Sequence, residues 1–280
     1  MAWCYRSTVV WCSGPRVPIT SVNGVDLYHE WHGPEGAPVI VFVNGLLTDT
    51  SSWAAHLPLF TDRYRCLVYD CRGQGRSSKP DQPYRPTLHA ADLAALCGTL
   101  GIGPALFLGL SNGGVALLYL AAEHPSLVRA LAVSGVFANA DAIQQAKLRS
   151  WATAMETGSA PLRFDVSMPW VWGARFLEAN LERVMKFRDR AMLVPTEAAI
   201  NLIRGAMDHD ARAVLPRVTA PALVLVGDED VLTPPWLAED VVQRLPNARL
   251  EVMAGGGHAV ALEDPEAFSA RVLAFFAEVR

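Results

Sequence analysis

The sequence predicts an α/β fold in which a mainly parallel β-sheet is covered by helices. Three observations predict it: short apolar runs recur along the chain, helical patterns separate them, and residues 136–215 contain no strand pattern. Continuous rather than alternating apolarity is typical of strands that are buried on both faces. Alternation of such strands with helices predicts a parallel sheet with helices packed on its faces.

The strand patterns differ between the start of the chain and the rest. Residues 25–31 alternate in polarity, which predicts an antiparallel strand at the beginning of the sheet. The later runs are continuous, and we expect them to form buried parallel strands. They are 38–43, 65–69, 105–110, 128–134, 222–226 and 249–253.

Helical patterns lie between these runs. Thr87 is a candidate N-cap for the second predicted helix, and Pro265 is suited to the first turn of the last one. The predicted helices are 52–60, 88–100, 112–123, 236–245 and 265–278.

One region interrupts the alternation of strands and helices. Residues 136–215 are rich in Ala, Met, Trp, Arg and Glu, and they show helical spacing in 177–187 and 197–207. A loop of this length without secondary structure of its own is not expected inside a compact domain. We therefore expect a helical lid inserted between two late strands, with 18–135 and 216–280 forming the core and 1–17 a loosely attached N-terminal extension.

Composition narrows the class of protein. The chain has 280 residues, of which 51% are hydrophobic and 19% charged, and its net charge is −4. No basic stripe is present, which argues against nucleic-acid binding, and no apolar run approaches the ~20 residues of a membrane span. The five cysteines are odd in number and lack zinc-like spacing. We expect reduced thiols, no signal peptide and a cytoplasmic location, while the oligomeric state stays open.

A single serine stands at the end of the apolar run 105–110. Residues 109–113 read Gly-Leu-Ser-Asn-Gly, so Ser111 lies between a predicted strand and a predicted helix. A sharp turn at this point projects the serine hydroxyl from the sheet edge and requires small neighbours. The N–H groups and the partial positive charge of the following helix point to the same place. This arrangement indicates a nucleophile.

A serine nucleophile needs a base, and the base needs an acid to orient it. Asp228 and Asp230 follow the predicted strand 222–226, and His258 follows the next strand within Gly-Gly-Gly-His. The order Ser, acid, His is the one expected when successive strand ends build such a site. These residues alone do not decide whether Asp228 or Asp230 is the acid.

The chain resembles the α/β-hydrolase superfamily, in its group of small single-domain esterases and lactonases. The resemblance extends from about residue 19 to the end and is specific for fold and triad rather than for substrate. The motifs that carry it are Val43-Asn44-Gly45-Leu46, Asp70-Cys71-Arg72-Gly73-Gln74-Gly75-Arg76-Ser77, the sequence around Ser111, the segment 227–230, and Gly257-His258 with Glu263-Asp264-Pro265-Glu266.

The resemblance implies a role for each site residue. Ser111 is the nucleophile and His258 the general base and acid. The family pattern selects Asp230 as the triad acid, with Asp228 as its rival. The oxyanion hole is implied to consist of the backbone N–H groups of Leu46 and Asn112.

The chain departs from the usual pattern at Asn44, where many relatives have His before the glycine. Asn can still bond to the local backbone, so we expect the oxyanion hole to be retained. Some acyl-transferring enzymes of the superfamily also have Asn there, which leaves the acyl acceptor open.

An aromatic segment lies within the insertion. Trp170, Trp172 and Phe176 are candidate pocket residues above the serine, and the alternative is that they only pack the insertion onto the core. No His-Glu-x-x-His pattern occurs, so we expect no metal, and the mechanism requires no cofactor.

The expected reaction is hydrolysis of a carboxylic ester, a lactone or a thioester through an acyl-enzyme, with a small molecule as substrate. Acyl transfer to an alcohol, carbon–carbon bond hydrolysis and perhydrolysis are alternatives on the same triad. A receptor-like binding module is the alternative from another class of protein.

Overall fold

The computed structural model describes residues 18–279, and the predicted N-terminal extension, 1–17, lies outside them. Within this range the chain forms an eight-stranded sheet, which confirms the predicted α/β fold. The strands are β1 Ile19–Val22, β2 Val25–His32, β3 Val39–Val43, β4 Arg65–Tyr69, β5 Ala105–Leu110, β6 Val128–Ser134, β7 Ala222–Gly227 and β8 Ala248–Met253.

The sheet order is β1-β2-β4-β3-β5-β6-β7-β8. β1 and β2 pair antiparallel with each other, β2 pairs antiparallel with β4, and every later pair is parallel. The carboxyl ends of the parallel strands therefore meet at one edge, where side chains from several loops can converge.

The prediction for the last strand was wrong in one respect. β8 was expected to be buried on both faces, but most of its residues are only half-buried. β8 pairs with β7 alone and is the edge of the sheet. Its polar residues Arg249 and Glu251 are thus tolerated, because an edge strand has a side open to water.

Ten α-helices lie in the described residues. They are α1 Leu57–Phe60, α2 Pro86–Thr99, α3 Asn112–Glu123, α4 Ala142–Thr157, α5 Ala160–Val171, α6 Ala174–Ala191, α7 Thr196–Met207, α8 Pro235–Arg244, α9 Val260–Glu263 and α10 Pro265–Glu278, and 3₁₀ turns occupy Thr50–Trp53 and Leu215–Arg217.

Proline explains two departures from the predicted helix starts. Thr87 is not the N-cap of α2, since Pro86 occupies the first turn and Arg85 is the capping residue. The single helix expected over 52–60 is a 3₁₀ turn followed by α1, because Pro58 has no N–H to bond to the carbonyl of Ala54.

Apolar side chains of the central strands fill both faces of the sheet. Val41 and Val43 of β3 point to the layer containing α2, α3 and α8, while Phe42 points to the layer containing α1 and α10. The ring of Phe42 packs edge-on against Trp53 and Phe60, with centroids 5.0 and 5.3 Å away. This packing fixes the position of β3 and hence of the loop that follows it.

The four helices α4–α7 lie between β6 and β7 and carry two apolar clusters of their own. The first, here the α4–α7 cluster, contains Trp151, Ile203 and Leu232, with the half-buried Leu46 and Trp170 packed against it. The second, the α5–α6 cluster, consists of Phe164, Trp172, Val184 and Ala191, with Ala259 and Leu262 among its half-buried neighbours. In the described part of the chain no helix is both long and apolar enough to cross a bilayer.

Candidate active site

Ser111 lies at the sharp turn between β5 and α3. Its backbone has φ 50° and ψ −122°, and its N–H donates to the carbonyl of Ser134 at 2.7 Å. Such a conformation is strained for a residue with a side chain. It requires close backbone packing: a Cβ at Gly113 would lie 2.4 Å from the carbonyl oxygen of Asn44. The glycines that follow and precede the serine are thus needed for the turn itself.

The imidazole of His258 connects the serine to an aspartate. Its Nε2 lies 3.0 Å from the Ser111 Oγ, and its Nδ1 lies 2.9 Å from an oxygen of Asp230. The Asp230 carboxylate is buried, with 2% of the residue exposed. The structure therefore brings together three of the predicted site residues at the carboxyl ends of β5, β7 and β8.

Asp228 occupies a different position. Its carboxylate accepts a hydrogen bond from the backbone N–H of Gly255 at 2.6 Å. This bond joins the loop after β7 to the loop after β8. Asp228 therefore holds together the two loops that carry Asp230 and His258.

Thr233 is a site residue that the sequence reasoning missed. Its N–H and its hydroxyl lie 2.7 Å from the two oxygens of Asp230, and its Oγ1 is also 2.9 Å from His258 Nδ1. Donors on both carboxylate oxygens fix the plane of the carboxylate. The signal in the sequence was the hydroxyl residue three positions after the aspartate, just before two prolines.

Gly135 is the second residue that the sequence reasoning missed. It follows β6 with φ +65°, and a Cβ at this position would lie 2.6 Å from Cε1 of His258. Any side chain here would push the imidazole from its place between serine and aspartate. The relevant signal was a glycine directly after a buried strand.

The loop after β3 is held by side-chain hydrogen bonds. The amide of Asn44 donates to the Tyr69 carbonyl at 3.0 Å and accepts from the Trp53 indole at 2.7 Å. The Gly45 carbonyl accepts from Gln74 at 2.6 Å and from Thr48 at 2.9 Å. These bonds fix the backbone on both sides of the turn, so Asn44 has a structural role in this loop.

Two backbone N–H groups near the serine have no hydrogen-bond acceptor among the described residues. Asn112 is the first residue of α3, and its N–H has no partner within the helix. The Leu46 N–H likewise has no acceptor within residues 18–279. Free amides of this kind can stabilise an oxygen that becomes negatively charged.

The three candidate pocket residues lie in different clusters. Trp170 stacks on Trp151 with ring centroids 6.2 Å apart, in the cluster that Leu46 also contacts. Trp172 stacks on Phe176 at 5.4 Å in the α5–α6 cluster. The structure thus brings Trp170 into the cluster that contains the loop after β3, and it places the other two beside residues that follow His258.

Hydrogen bonds fasten the four helices α4–α7 to the site loops. Gln144 and Lys147 of α4 donate to the carbonyl of Leu232, two residues after Asp230, at 2.7 and 3.0 Å. At the other side, the Glu263 carboxylate accepts from the N–H of Gly173 at 2.9 Å. Burial raises the pKa of Glu263. The inserted helices are therefore connected to the loops that position both the acid and the imidazole.

A family model described as the alpha/beta hydrolase fold matches residues 38–265. The chain belongs to the α/β-hydrolase family. This match confirms the resemblance that the sequence motifs indicated. The residues it covers include every α/β-hydrolase site position named above.

The chain is similar to enzymes of this family along almost its whole length. It is 29% identical over 258 residues to the protein named "Putative carbamate hydrolase RutD" of Stutzerimonas stutzeri, covering 90% of this chain and 97% of that protein. It is also 29% identical over 249 residues to 3-oxoadipate enol-lactonase 2 of Acinetobacter baylyi, covering 89% and 92%.

Two solved α/β-hydrolase structures superpose closely on the chain. MGS-M2, from a Medee basin deep-sea metagenome library, has a TM-score of 0.89 and 28% identity, with 94% of this chain and 98% of that chain covered. The enol-lactonase from Burkholderia xenovorans LB400 has a TM-score of 0.87 and 28% identity, with 93% and 100% covered.

Proposed function

We propose that the protein is a serine hydrolase that cleaves a carboxylic ester, a lactone or a thioester through an acyl-enzyme intermediate. The observation that carries this proposal is the hydrogen-bonded chain from Ser111 through His258 to Asp230. Relatives named as an enol-lactonase and a carbamate hydrolase support it, because lactones and carbamates are also attacked at a carbonyl carbon.

In the first half of the reaction the Ser111 oxygen attacks the substrate carbonyl. His258 Nε2 takes the hydroxyl proton, which its 3.0 Å distance from Oγ allows. Asp230 holds the other ring nitrogen, which fixes the tautomer and stabilises the imidazolium. The imidazolium then gives its proton to the leaving alcohol or thiol, and the acyl group stays on the serine.

The N–H groups of Leu46 and Asn112 stabilise the negative oxygen of the tetrahedral intermediate. Loss of one such donor typically costs 10²–10³-fold in rate. The hydrogen bonds of Asn44 keep the loop in shape, so a backbone donor can work here although the usual His is absent.

In the second half, water replaces the leaving group. His258 takes a proton from the water as the water oxygen attacks the acyl carbon, and the imidazolium then returns this proton to Ser111 Oγ as the bond between Oγ and the acyl carbon breaks, which releases the free acid. The helices α4–α7 act as a lid in this proposal. They would limit access of bulk water and supply an apolar acyl pocket with Trp170 near the serine, while Trp172 and Phe176 would shape it from the α5–α6 cluster.

Acyl transfer to an alcohol is the alternative reaction, since some acyl-transferring enzymes of the superfamily also have Asn at this position. Transfer and hydrolysis share the acyl-enzyme and differ only in the acceptor. The contacts of Asn44 with Tyr69 and Trp53 give this residue a structural reason to be present in either case.

A panel of p-nitrophenyl esters, assayed with and without an alcohol acceptor, tests these alternatives. Release of nitrophenol with free acid as the product supports hydrolysis, and formation of a new ester supports transfer. No turnover of any ester, thioester or lactone by a folded protein would contradict the proposed function.

A further inference from the structure

Arg163 is a buried cation that the mechanism does not use. It lies in the first turn of α5, and only 8% of the residue is exposed. Its guanidinium makes no hydrogen bond or ion pair with any group that the structure describes, and burial lowers its pKa to about 10. It therefore remains charged at neutral pH, and a charge that is largely removed from water is stabilised by a partner of opposite charge.

The carboxylates of Asp165 on α5 and Glu156 on the neighbouring α4 are engaged with other arginines. Asp165, two residues along α5, forms a two-bond ion pair with Arg188 at 2.8 and 3.0 Å. Glu156 of α4 binds Arg204 at 2.8 Å. The first turn of a helix also carries partial positive charge, so the position of Arg163 on α5 increases the local positive potential.

A second unpaired donor lies on the neighbouring helix. The indole N–H of Trp151 is buried and has no acceptor among the described residues. Trp151 stacks on Trp170, and Trp170 is seven residues after Arg163, so both of the latter lie on one side of α5. Seven residues correspond to about 10 Å along a helix. Arg163 thus lies on the same side of α5 as Trp170, which packs against the same cluster as Leu46 of the loop after β3.

Arginine and the indole N–H can only donate hydrogen bonds, so a ligand that satisfies both must be an acceptor. We propose that Arg163, with the Trp151 N–H, binds a carboxylate at the far end of the substrate. The substrate class is then an ester or lactone whose acyl part carries a carboxylate. The apolar rings of Trp151 and Trp170 contact the carbon chain between the two ends. This inference rests on the proposed function of Ser111.

Matched pairs of p-nitrophenyl esters test the inference. Each pair has one acyl chain length and ends either in a carboxylate, as in a glutaryl monoester, or in a methyl group. The wild-type protein should favour the carboxylate member at one or more lengths. Arg163→Met should lower the ratio of the two kcat/KM values about 10- to 100-fold, mainly through KM, because a charge-assisted hydrogen bond is lost.

Three further variants sharpen this comparison. Arg149→Met removes an exposed arginine from the outer side of α4 and should leave the ratio unchanged. Arg163→Lys should keep part of the preference, since it retains the charge without the planar fork. Trp151→Phe should lower the ratio by less than about tenfold, because a neutral donor is lost while the ring is kept. An equal ratio in wild type and Arg163→Met would overturn the inference.

Binding without turnover separates this inference from the proposed reaction. Ser111→Ala should bind monomethyl glutarate in a calorimetric titration, and adding Arg163→Met should weaken binding 10-fold or more. That result would support the carboxylate site even if the wild type cleaved no ester. Equal binding by both variants would refute it whatever the turnover. Arg163→Met should also unfold at the same or a higher temperature, and a large decrease would instead indicate a structural role for Arg163.

Discussion

Gly135→Ala should disable the proposed enzyme without removing any reacting group. The new Cβ would lie 2.6 Å from Cε1 of His258, whereas ordinary contacts begin at 3.4 Å, so the imidazole must retreat by about 0.8 Å. A displacement of about 1 Å can cost on the order of 10²-fold in rate. We therefore expect kcat/KM for a p-nitrophenyl ester to fall about 100-fold.

Gly36→Ala is the matched control for this change. Gly36 also has positive φ, +82°, but a Cβ there would meet nothing within 4 Å. Both variants should lose a similar stability, about 1–2 kcal/mol, from the strained backbone. Urea unfolding measures the loss of stability, and ester turnover measures the loss of rate that follows from displacing the imidazole. Activity of Gly135→Ala within twofold of the control would refute the argument that the imidazole position controls the rate.

Three further predictions concern other parts of the structure. Asp230→Asn should lower kcat on the order of 10⁴-fold because His258 loses its tautomer, whereas Asp228→Asn should cost less than about tenfold; the reverse order in ester assays would move the acid to Asp228. Trp170→Ala should shift the preferred acyl length while acetyl ester turnover changes little, since each buried methylene contributes about 0.8 kcal/mol; an unchanged length profile would leave Trp170 a packing role. Burial lowers the pKa of His89 to about 4, so the unfolded chain binds a proton that the folded chain excludes, and stability should fall as pH decreases from about 6.5 to 4. Urea unfolding at pH 7 and pH 5 checks this, and His89→Leu should reduce the difference but not remove it, because burial also lowers the pKa of His56 and His209 to about 4; equal pH dependence in wild type and His89→Leu would contradict it.

Local patterns in the sequence were sufficient for most of the sheet. β4, β5 and β6 coincide with the predicted apolar runs because buried parallel strands have a continuous pattern that needs no long-range information. The turn at Ser111 was predictable for a similar reason, since strand, serine, glycine and helix are neighbours in the chain. The exposed side of β8 was missed because a run of five residues does not reveal which strand is at the edge.

The fine positioning of the site could not be read from the sequence. Thr233 and Gly135 act on His258 from 25 and 123 residues away, and only the folded topology brings these positions together. The hydrogen bond from the Trp53 indole to Asn44 could not be predicted either, because it depends on how the 3₁₀ turn packs on β3. α4 and α5 were expected only as part of a helical region, since their polarity patterns are weak.

Labelling with a fluorophosphonate tests whether Ser111 is an activated nucleophile. The reagent bonds to an activated serine oxygen with loss of fluoride, so it reports the nucleophile without knowledge of the natural substrate. We expect one covalent adduct per chain, mapped by mass spectrometry to the peptide that contains Ser111, and none in Ser111→Ala. No adduct on the folded wild-type protein, or equal labelling of Ser111→Ala, would contradict it.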